Sequence, residues 1–288
     1  PRTPIEQQLC EIWSEILKIE KISIHDNFFR VGGDSIISIQ VVAKARQRGI
    51  YLNVKDIFNY PTIIELGAVA KLEMEKSVFK PLQGQVEGNI LLTPIQQWFF
   101  EQGFACKNQF NQATLLEVDS KVNIELLRQV FSILVLHHDM LRARYYQNSL
   151  QEWQQECTKV GEEFKDWLEI DLEGTSEGKL AEVINRESNA AQRSLDIERG
   201  RIIKVVFFKC GRAGRLLIVI HHLVVDGVSW RVLLEDLNTV YTQLIKGEKA
   251  LLPAKTHSYQ QWAISLQKHA QSKEIKQEVM YWHEIQEL

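Results

Sequence analysis

The feature that most constrains this chain is a change in hydrophobic pattern around residues 77–88. Before it, apolar residues recur at the three- and four-residue steps of amphipathic helices. These helices fall at Pro4–Leu17, Ser35–Ala45, Val54–Asn59 and from Thr62 onward. The segment itself has weak periodicity, Pro81 and two glycines, as linkers do. We therefore predict a four-helix domain over residues 1–76, a linker over 77–88 and a second domain over 89–288.

The second domain mixes two periodicities. Short apolar runs typical of strands fall at Ile90–Leu92, Ala113–Val118, Arg201–Lys209 and Arg215–Val225. Helical patterns fall at Ile124–Leu141, from Ser229 onward and at Tyr259–Leu288. Because strands and helices alternate, we predict an α/β or α+β domain.

Composition excludes several classes of partner. Lys and Arg number 34 against 37 Asp and Glu, a net charge of -3, so the chain has no surplus of basic residues to neutralise a nucleic-acid backbone or to bind an anionic membrane. The four cysteines form no CxxC pair, and we expect no disulfide scaffold and no metal site. The N-terminus lacks a signal segment, and the apolar run Leu216–Val225 is broken by two histidines, so we expect a cytoplasmic protein. The chain lacks an initiator Met and ends at Leu288 within a helical pattern, so we expect it to belong to a longer protein.

The first motif with chemical content runs from Asp26 to Ile36, with the sequence DNFFRVGGDSI. Two glycines permit a sharp turn, and Ser35 opens a helix. A serine at a helix start is commonly a cap, and GGDS alone would favour that structural interpretation. The full run within a four-helix domain, however, resembles the signature of peptidyl carrier domains of nonribosomal peptide synthetases.

That resemblance implies that Ser35 bears phosphopantetheine, with Asp34 beside it at the attachment site. A phosphodiester at a helix N-terminus faces backbone N–H groups and the positive end of the helix dipole, so the position suits the modification. The GGDSI form, with Asp34 where many such carriers have His, is typical of carriers that feed epimerization domains. The implied partners are a phosphopantetheinyl transferase, an adenylation domain upstream and a condensation domain downstream.

The second motif is HHLVVDGVSW, from His221 to Trp230, where a buried strand ends and a helix begins. Adjacent strand residues point to opposite faces, so at most one histidine enters a given cleft, and a joint metal site is disfavoured. A bare histidine pair would favour structural roles for both. The whole HHxxxDG run resembles the active-site signature of the condensation superfamily, whose fold is like that of chloramphenicol acetyltransferase. The resemblance implies that His222 is catalytic and faces the substrate tunnel, with His221 and Gly227 in support.

The same resemblance implies a structural pair between Asp226 and an upstream arginine. The matching upstream run is HHDMLRARY, from His137 to Tyr145, so the partner would be Arg142. A random pair of this kind would more often be two solvated charges. A partly buried arginine–carboxylate pair would hold the histidine loop in place. We expect structural roles for His137 and His138, since His138 continues the apolar stripe of its helix.

Three details favour the epimerization branch of this superfamily over ordinary condensation. They are LTPIQQWFF from Leu92 to Phe100, the HHDxLRxRY form, and VSW after Asp226-Gly227. The implied reaction inverts the Cα of an aminoacyl or peptidyl thioester, with a glutamate of an EGHGRE-like motif as the second acid–base group. That motif does not occur here, so we expect residues 89–288 to be only the N-terminal lobe of such a domain and to show little epimerase activity alone. The alternatives are peptide-bond formation by a condensation domain and a non-catalytic module that docks the carrier arm.

Overall fold

The computed structural model describes residues 1–72, 81–159, 161, 164–211 and 213–286. The chain divides into two compact units, residues 1–80 and 81–288, and each is described by itself. The predicted end of the carrier domain at Lys76, and linker residues 77–80, lie outside the described residues, so those bounds stay predictions. None of the helices in the described part of the chain has both the length and the apolar content of a membrane span.

The first unit contains four helices around one apolar core. They are α1 (Pro4–Leu17), α2 (Ser35–Gln47), α3 (Val54–Asn59) and α4 (Ile63–Val69). Helix α1 begins with a capping box, in which Thr3 and Glu6 each accept a backbone N–H at the helix start. Trp13 and Phe28 are fully buried at the centre of the core, with ring centroids 4.9 Å apart. This is the four-helix domain that the sequence predicts.

Helix α2 presents a different side to this core from the one expected. Its periodicity predicts an apolar face of Ile36, Ile39, Val42 and Ala43. Ser38, Val41 and Ala45 are buried instead, whereas Ile36 and Ile39 are each 39% exposed. The prediction was wrong for Ile36, Ile39 and the exposed Ala43, whereas Val42 does pack against the core. Because α2 carries apolar residues on several sides, spacing alone does not select the buried one.

The second unit is built on a four-stranded sheet covered on both faces. Its strands are β2 (Asn111–Asp119), β5 (Trp167–Asp171), β6 (Ile203–Lys209) and β7 (Ala213–His221), in the order β2-β7-β6-β5. Strands β5 and β6 are parallel, and the other two pairings are antiparallel. Helices α6 (Ile124–His137) and α8 (Gly227–Ile245) pack on one face, and α7 (Glu177–Arg193) packs on the other. The layers are those of an α/β lobe.

A smaller antiparallel sheet completes this unit. It consists of β1 (Gly88–Ile90), β4 (Trp153–Cys157) and β3 (Ala143–Gln147), with β4 in the middle. The remaining helices are α5 (Pro94–Glu101), α9 (Tyr259–Ala270) and α10 (Lys273–Gln286). The predicted helix over Ile124–Leu141 ends at His137 and is followed by a 3₁₀ turn over Asp139–Arg142. The predicted helix over Tyr259–Leu288 is α9 and α10, with Leu288 outside the described residues.

Candidate functional site

His221 is the last residue of β7 and His222 is the first residue of the turn that follows, and the two lie in opposite environments. His221 is fully buried, whereas His222 is exposed. The Nε2 atom of His221 lies 2.8 Å from the Lys107 carbonyl oxygen, and Nδ1 accepts the Leu223 amide N–H at 3.2 Å. Because one ring nitrogen faces an acceptor and the other a donor, His221 is a neutral imidazole with its hydrogen on Nε2. Burial lowers its pKa to about 4.

The exposed ring of His222 is held by its backbone surroundings and one aromatic neighbour. Its Nδ1 lies 2.7 Å from the Val225 carbonyl oxygen, and its own amide donates to the Phe110 carbonyl at 2.8 Å. The Phe110 ring stacks on the imidazole with centroids 5.3 Å apart and planes 18° from parallel. A carbonyl oxygen only accepts, so Nδ1 carries the hydrogen and Nε2 of the neutral ring keeps its lone pair. His222 therefore combines an accessible basic nitrogen with a fixed ring.

Asp226 begins helix α8 and makes no ion pair with Arg142. Its carboxylate accepts the amides of Val228 at 3.1 Å and Ser229 at 2.7 Å, and the Ser229 hydroxyl at 2.7 Å. Burial would raise the pKa of Asp226, but these hydrogen bonds lower it. The aspartate thus fixes the loop as a helix N-cap, and its carboxylate is satisfied without an arginine.

Arg142 is 4% exposed and is bonded elsewhere, so the predicted Arg142–Asp226 pair was wrong. Its guanidinium contacts Asp139 Oδ1 at 2.8 Å. It also donates to the carbonyl oxygens of Val86, Val135, Leu136 and Thr158. The planar five-donor fork fits this ring of carbonyls at the end of α6. Arg142, the last residue of the 3₁₀ turn, therefore ties that turn to the end of α6 and to the backbone at Val86 and Thr158.

Asp139 is the acidic centre of this buried network. It accepts hydrogen bonds from Arg142, from Lys255 Nζ at 2.9 Å and from the Val86 amide at 3.2 Å. Burial would raise the pKa of Asp139, but these donors together lower it below its ordinary value. The network joins the segment before β1, the 3₁₀ turn and the segment before α9.

His137 and His138 lie at the end of α6. His138 Nε2 is 2.8 Å from Oδ2 of the buried Asp236, which connects α6 to α8. Among the described residues, these two histidines and Asp236 offer potential metal-ligand atoms within 4.8 Å of one another. Burial, then His138 and Lys255, lower the pKa of His137. The nearby Lys255 cation and the existing His138–Asp236 bond favour a structural connection over a cation site.

The carrier unit displays Ser35 as the first residue of α2, on an exposed turn. The turn depends on both preceding glycines: Gly32 has a φ of 101°, and a Cβ on Gly33 would lie 2.5 Å from the Phe28 ring. Asp34 caps α2 and accepts the Ile36 and Ile37 amides at 2.8 and 2.7 Å. These two N–H groups, which were expected to face a phosphate, are therefore already bonded. The exposed hydroxyl position itself fits covalent attachment of the arm.

Comparison with known proteins places both units in families. Residues 86–288 match the Condensation domain family, and residues 7–69 match the phosphopantetheine attachment site family. The chain therefore belongs to the condensation domain family and has a carrier domain ahead of that domain. Its relatives are modules of nonribosomal peptide synthetases, and the predicted class, fold and phosphopantetheine cofactor are confirmed.

Individual relatives sharpen this assignment. Tyrocidine synthase 2 of Brevibacillus parabrevis is 40% identical over 287 residues, covering 99% of this chain and 8% of that protein. Gramicidin S synthase 1 of Brevibacillus brevis is 41% identical, with 99% and 25% covered. The crystal structure of the epimerization domain from the third module of tyrocidine synthetase B has a TM-score of 0.67 and 40% identity, covering 71% of this chain and 46% of that one. The chain thus spans less than half of each of these relatives.

Several parts of the site were not predicted from the sequence. Phe110 lies outside any motif, although its ring stacks on His222. Gln112 was also overlooked, and its Nε2 atom lies 3.4 Å from His222 Nε2. The signal for both is the pairing of β2 with β7, which sets Asn111 opposite His221. That pairing joins segments about a hundred residues apart and is invisible to local periodicity.

Proposed function

We propose that this chain presents an aminoacyl or peptidyl thioester on Ser35 for inversion of its Cα at a site that contains His222. The observation that carries the proposal is the exposed side chain of His222, whose Nδ1–H bonds to the Val225 carbonyl and so leaves the lone pair of the neutral ring on Nε2. The 40% identity to a solved epimerization domain supports inversion over peptide-bond formation.

The phosphopantetheine arm would supply the thioester, which acidifies the Cα hydrogen of the acyl group. His222 Nε2 would accept that proton as a general base, and a second acid–base group, supplied by the remaining part of the domain, would return a proton to the opposite face of Cα. The Nδ1–H bond to Val225 keeps the ring oriented during the transfer and stabilises the imidazolium that results. Phe110 covers one face of the imidazole, so the substrate reaches Nε2 at the ring edge.

We also propose the partners that this chemistry requires. A phosphopantetheinyl transferase would modify Ser35, an adenylation domain would supply the acyl group, and a condensation domain would receive the product. The four cysteines are all free, which suits a reducing, cytoplasmic setting.

Loading is tested first. We expect incubation with coenzyme A and a phosphopantetheinyl transferase to add one arm, read by intact mass. Ser35→Ala should remain unmodified, whereas Ser38→Ala, three residues along the same helix, should still be loaded. An arm gained by Ser35→Ala would contradict the attachment site.

Inversion is tested in a longer chain that also includes the counterpart of the remaining part of the solved epimerization domain. A loaded L-aminoacyl thioester should reach a D/L mixture, and Cα deuterium should exchange with water. His222→Ala should slow both by about 10²- to 10⁴-fold, whereas the exposed-histidine control His269→Ala should not. If an amide forms without Cα exchange, the domain is a condensation domain and this proposal fails. If neither reaction occurs, the chain is a module that docks the carrier arm without catalysis.

A further inference from the structure

Gln112 on β2 lies beside the basic nitrogen of His222. Its side-chain Nε2 is 3.4 Å from His222 Nε2, and its Oε1 accepts the Trp230 indole N–H at 2.9 Å. An indole nitrogen only donates, so the oxygen of the amide must face Trp230. The NH₂ end of Gln112 is therefore turned toward His222.

This geometry has a direct consequence for the proton on His222. The neutral ring has its hydrogen on Nδ1, so the Gln112 N–H points at the Nε2 lone pair. At 3.4 Å the contact is long and weak, and it leaves the lone pair available to a substrate. Once Nε2 takes a proton, two N–H groups face each other, and the contact becomes repulsive. The Gln112 amide therefore favours release of the proton from His222 Nε2 after the ring has accepted it.

We propose that Gln112 is a positioning residue for His222, and that Trp230 acts through it by fixing the direction of its amide. The inference rests on the function proposed above for His222. Three elements meet here: β2 contributes Gln112, α8 contributes Trp230, and the loop between β7 and α8 contributes His222.

The activity test uses the longer chain and Cα deuterium exchange. Gln112→Leu removes the amide at similar size and should slow exchange by about 10- to 100-fold, as expected for a misplaced catalytic group. Trp230→Phe should slow it less, and the double variant should be no slower than Gln112→Leu, because both changes act through one contact.

Two matched controls separate positioning from general damage. Thr114→Val changes a polar residue two positions along the same face of β2. Trp167→Phe removes another indole donor, which bonds to Glu169 and packs on the same core cluster as Trp230. Neither control should alter the exchange rate.

A second readout is the charge on the His222 ring, which responds to residue 112 only if that side chain faces Nε2. Gln112→Glu replaces a donor with an acceptor that retains a proton on His222 Nε2. The acid limb of its pH–rate profile should therefore move to higher pH. In protein labelled with ¹⁵N-histidine, the His222 ring should also stay protonated to higher pH, and this spectrum can be recorded without the activity assay.

The outcomes distinguish the two proposals. Unchanged rates in Gln112→Leu, together with an unchanged ring titration in Gln112→Glu, would overturn the role of Gln112 even if His222→Ala is inactive. Full exchange in His222→Ala would overturn the role of His222 instead.

Discussion

The separate environments of Arg142 and Asp226 lead to a quantitative prediction about stability. Arg142→Met removes five hydrogen bonds from a site that is 4% exposed and leaves four carbonyls and Asp139 short of a donor. Breaking a buried pair of this kind costs about 3–5 kcal/mol. Lys255 remains bonded to Asp139, which places the expected loss near the lower end. Asp226→Ala removes a helix cap and should cost about 1–2 kcal/mol.

The double variant then discriminates between the structure and the pair that the motifs implied. Arg142 and Asp226 share no hydrogen-bond partner among the described contacts, so their costs should add within about 0.5 kcal/mol. Arg142 and Asp139 are in direct contact, so Arg142→Met combined with Asp139→Asn should depart from additivity by more than that.

Urea unfolding followed by tryptophan fluorescence measures these energies. A Trp13→Phe background restricts the signal to the second unit, because every other tryptophan lies there. A coupling energy well above about 0.5 kcal/mol between positions 142 and 226 would refute the reasoning and restore the direct pair. Additive losses, with Arg142→Met the larger, are the expected result.

Three further predictions concern pH and packing. His221 has a folded pKa of about 4, below its ordinary 6.5, so its contribution to the free energy of unfolding is complete above pH 6.5 and is lost as pH falls toward 4. The free energy of unfolding measured at several pH values should fall by an amount on the order of 3 kcal/mol over that range. His221→Asn should reduce this fall. Asp139 also has a lowered pKa, so its ionised carboxylate stabilises the fold above the ordinary carboxyl pKa of about 4, and this stabilisation is lost in stronger acid. In Asp139→Asn the free energy of unfolding should therefore depend less on pH in that acid range. Gly33→Ala forces a Cβ against Phe28 and should destabilise the carrier unit by about 1–3 kcal/mol, read as a lower melting temperature, whereas the open position Gly84 should accept alanine without loss.

Local signals in the sequence predicted much of this fold. The amphipathic pattern over Pro4–Leu17 located α1, and the continuous apolar runs located β6 and β7 because strands buried on both faces have no polar alternation. Strand alternation also predicted different environments for the two adjacent histidines; His221 is buried and His222 is exposed, although His222 lies just past the end of β7.

What the sequence could not predict depends on contacts between distant segments. Strands β3 and β4 of the three-stranded sheet were missed, whereas the strand predicted at Ile90–Leu92 overlaps β1 at Ile90. Strand β4 reads WQQEC, a half-polar run without an alternating pattern. The partner of Arg142 was misassigned because two matching motifs imply proximity but do not state which atoms meet. A helix cap for Asp226 was available from its position before Gly227, and local hydrogen bonds of that kind satisfy a carboxylate without a distant cation.

Because β7 is paired with a strand on each side, the sequence changes that it can accept without loss of structure are limited. Nine of its residues are matched with β2 and seven with β6, so β7 cannot slide without breaking both ladders. Deleting one residue within Ala213–His221 would shift the residues after the deletion by one position. The His222 ring would then turn into the interior and the His221 ring out to solvent. Variation within β7 is therefore restricted to side-chain replacement, and the turn that follows has little more freedom of length because the Val225 carbonyl in it orients His222.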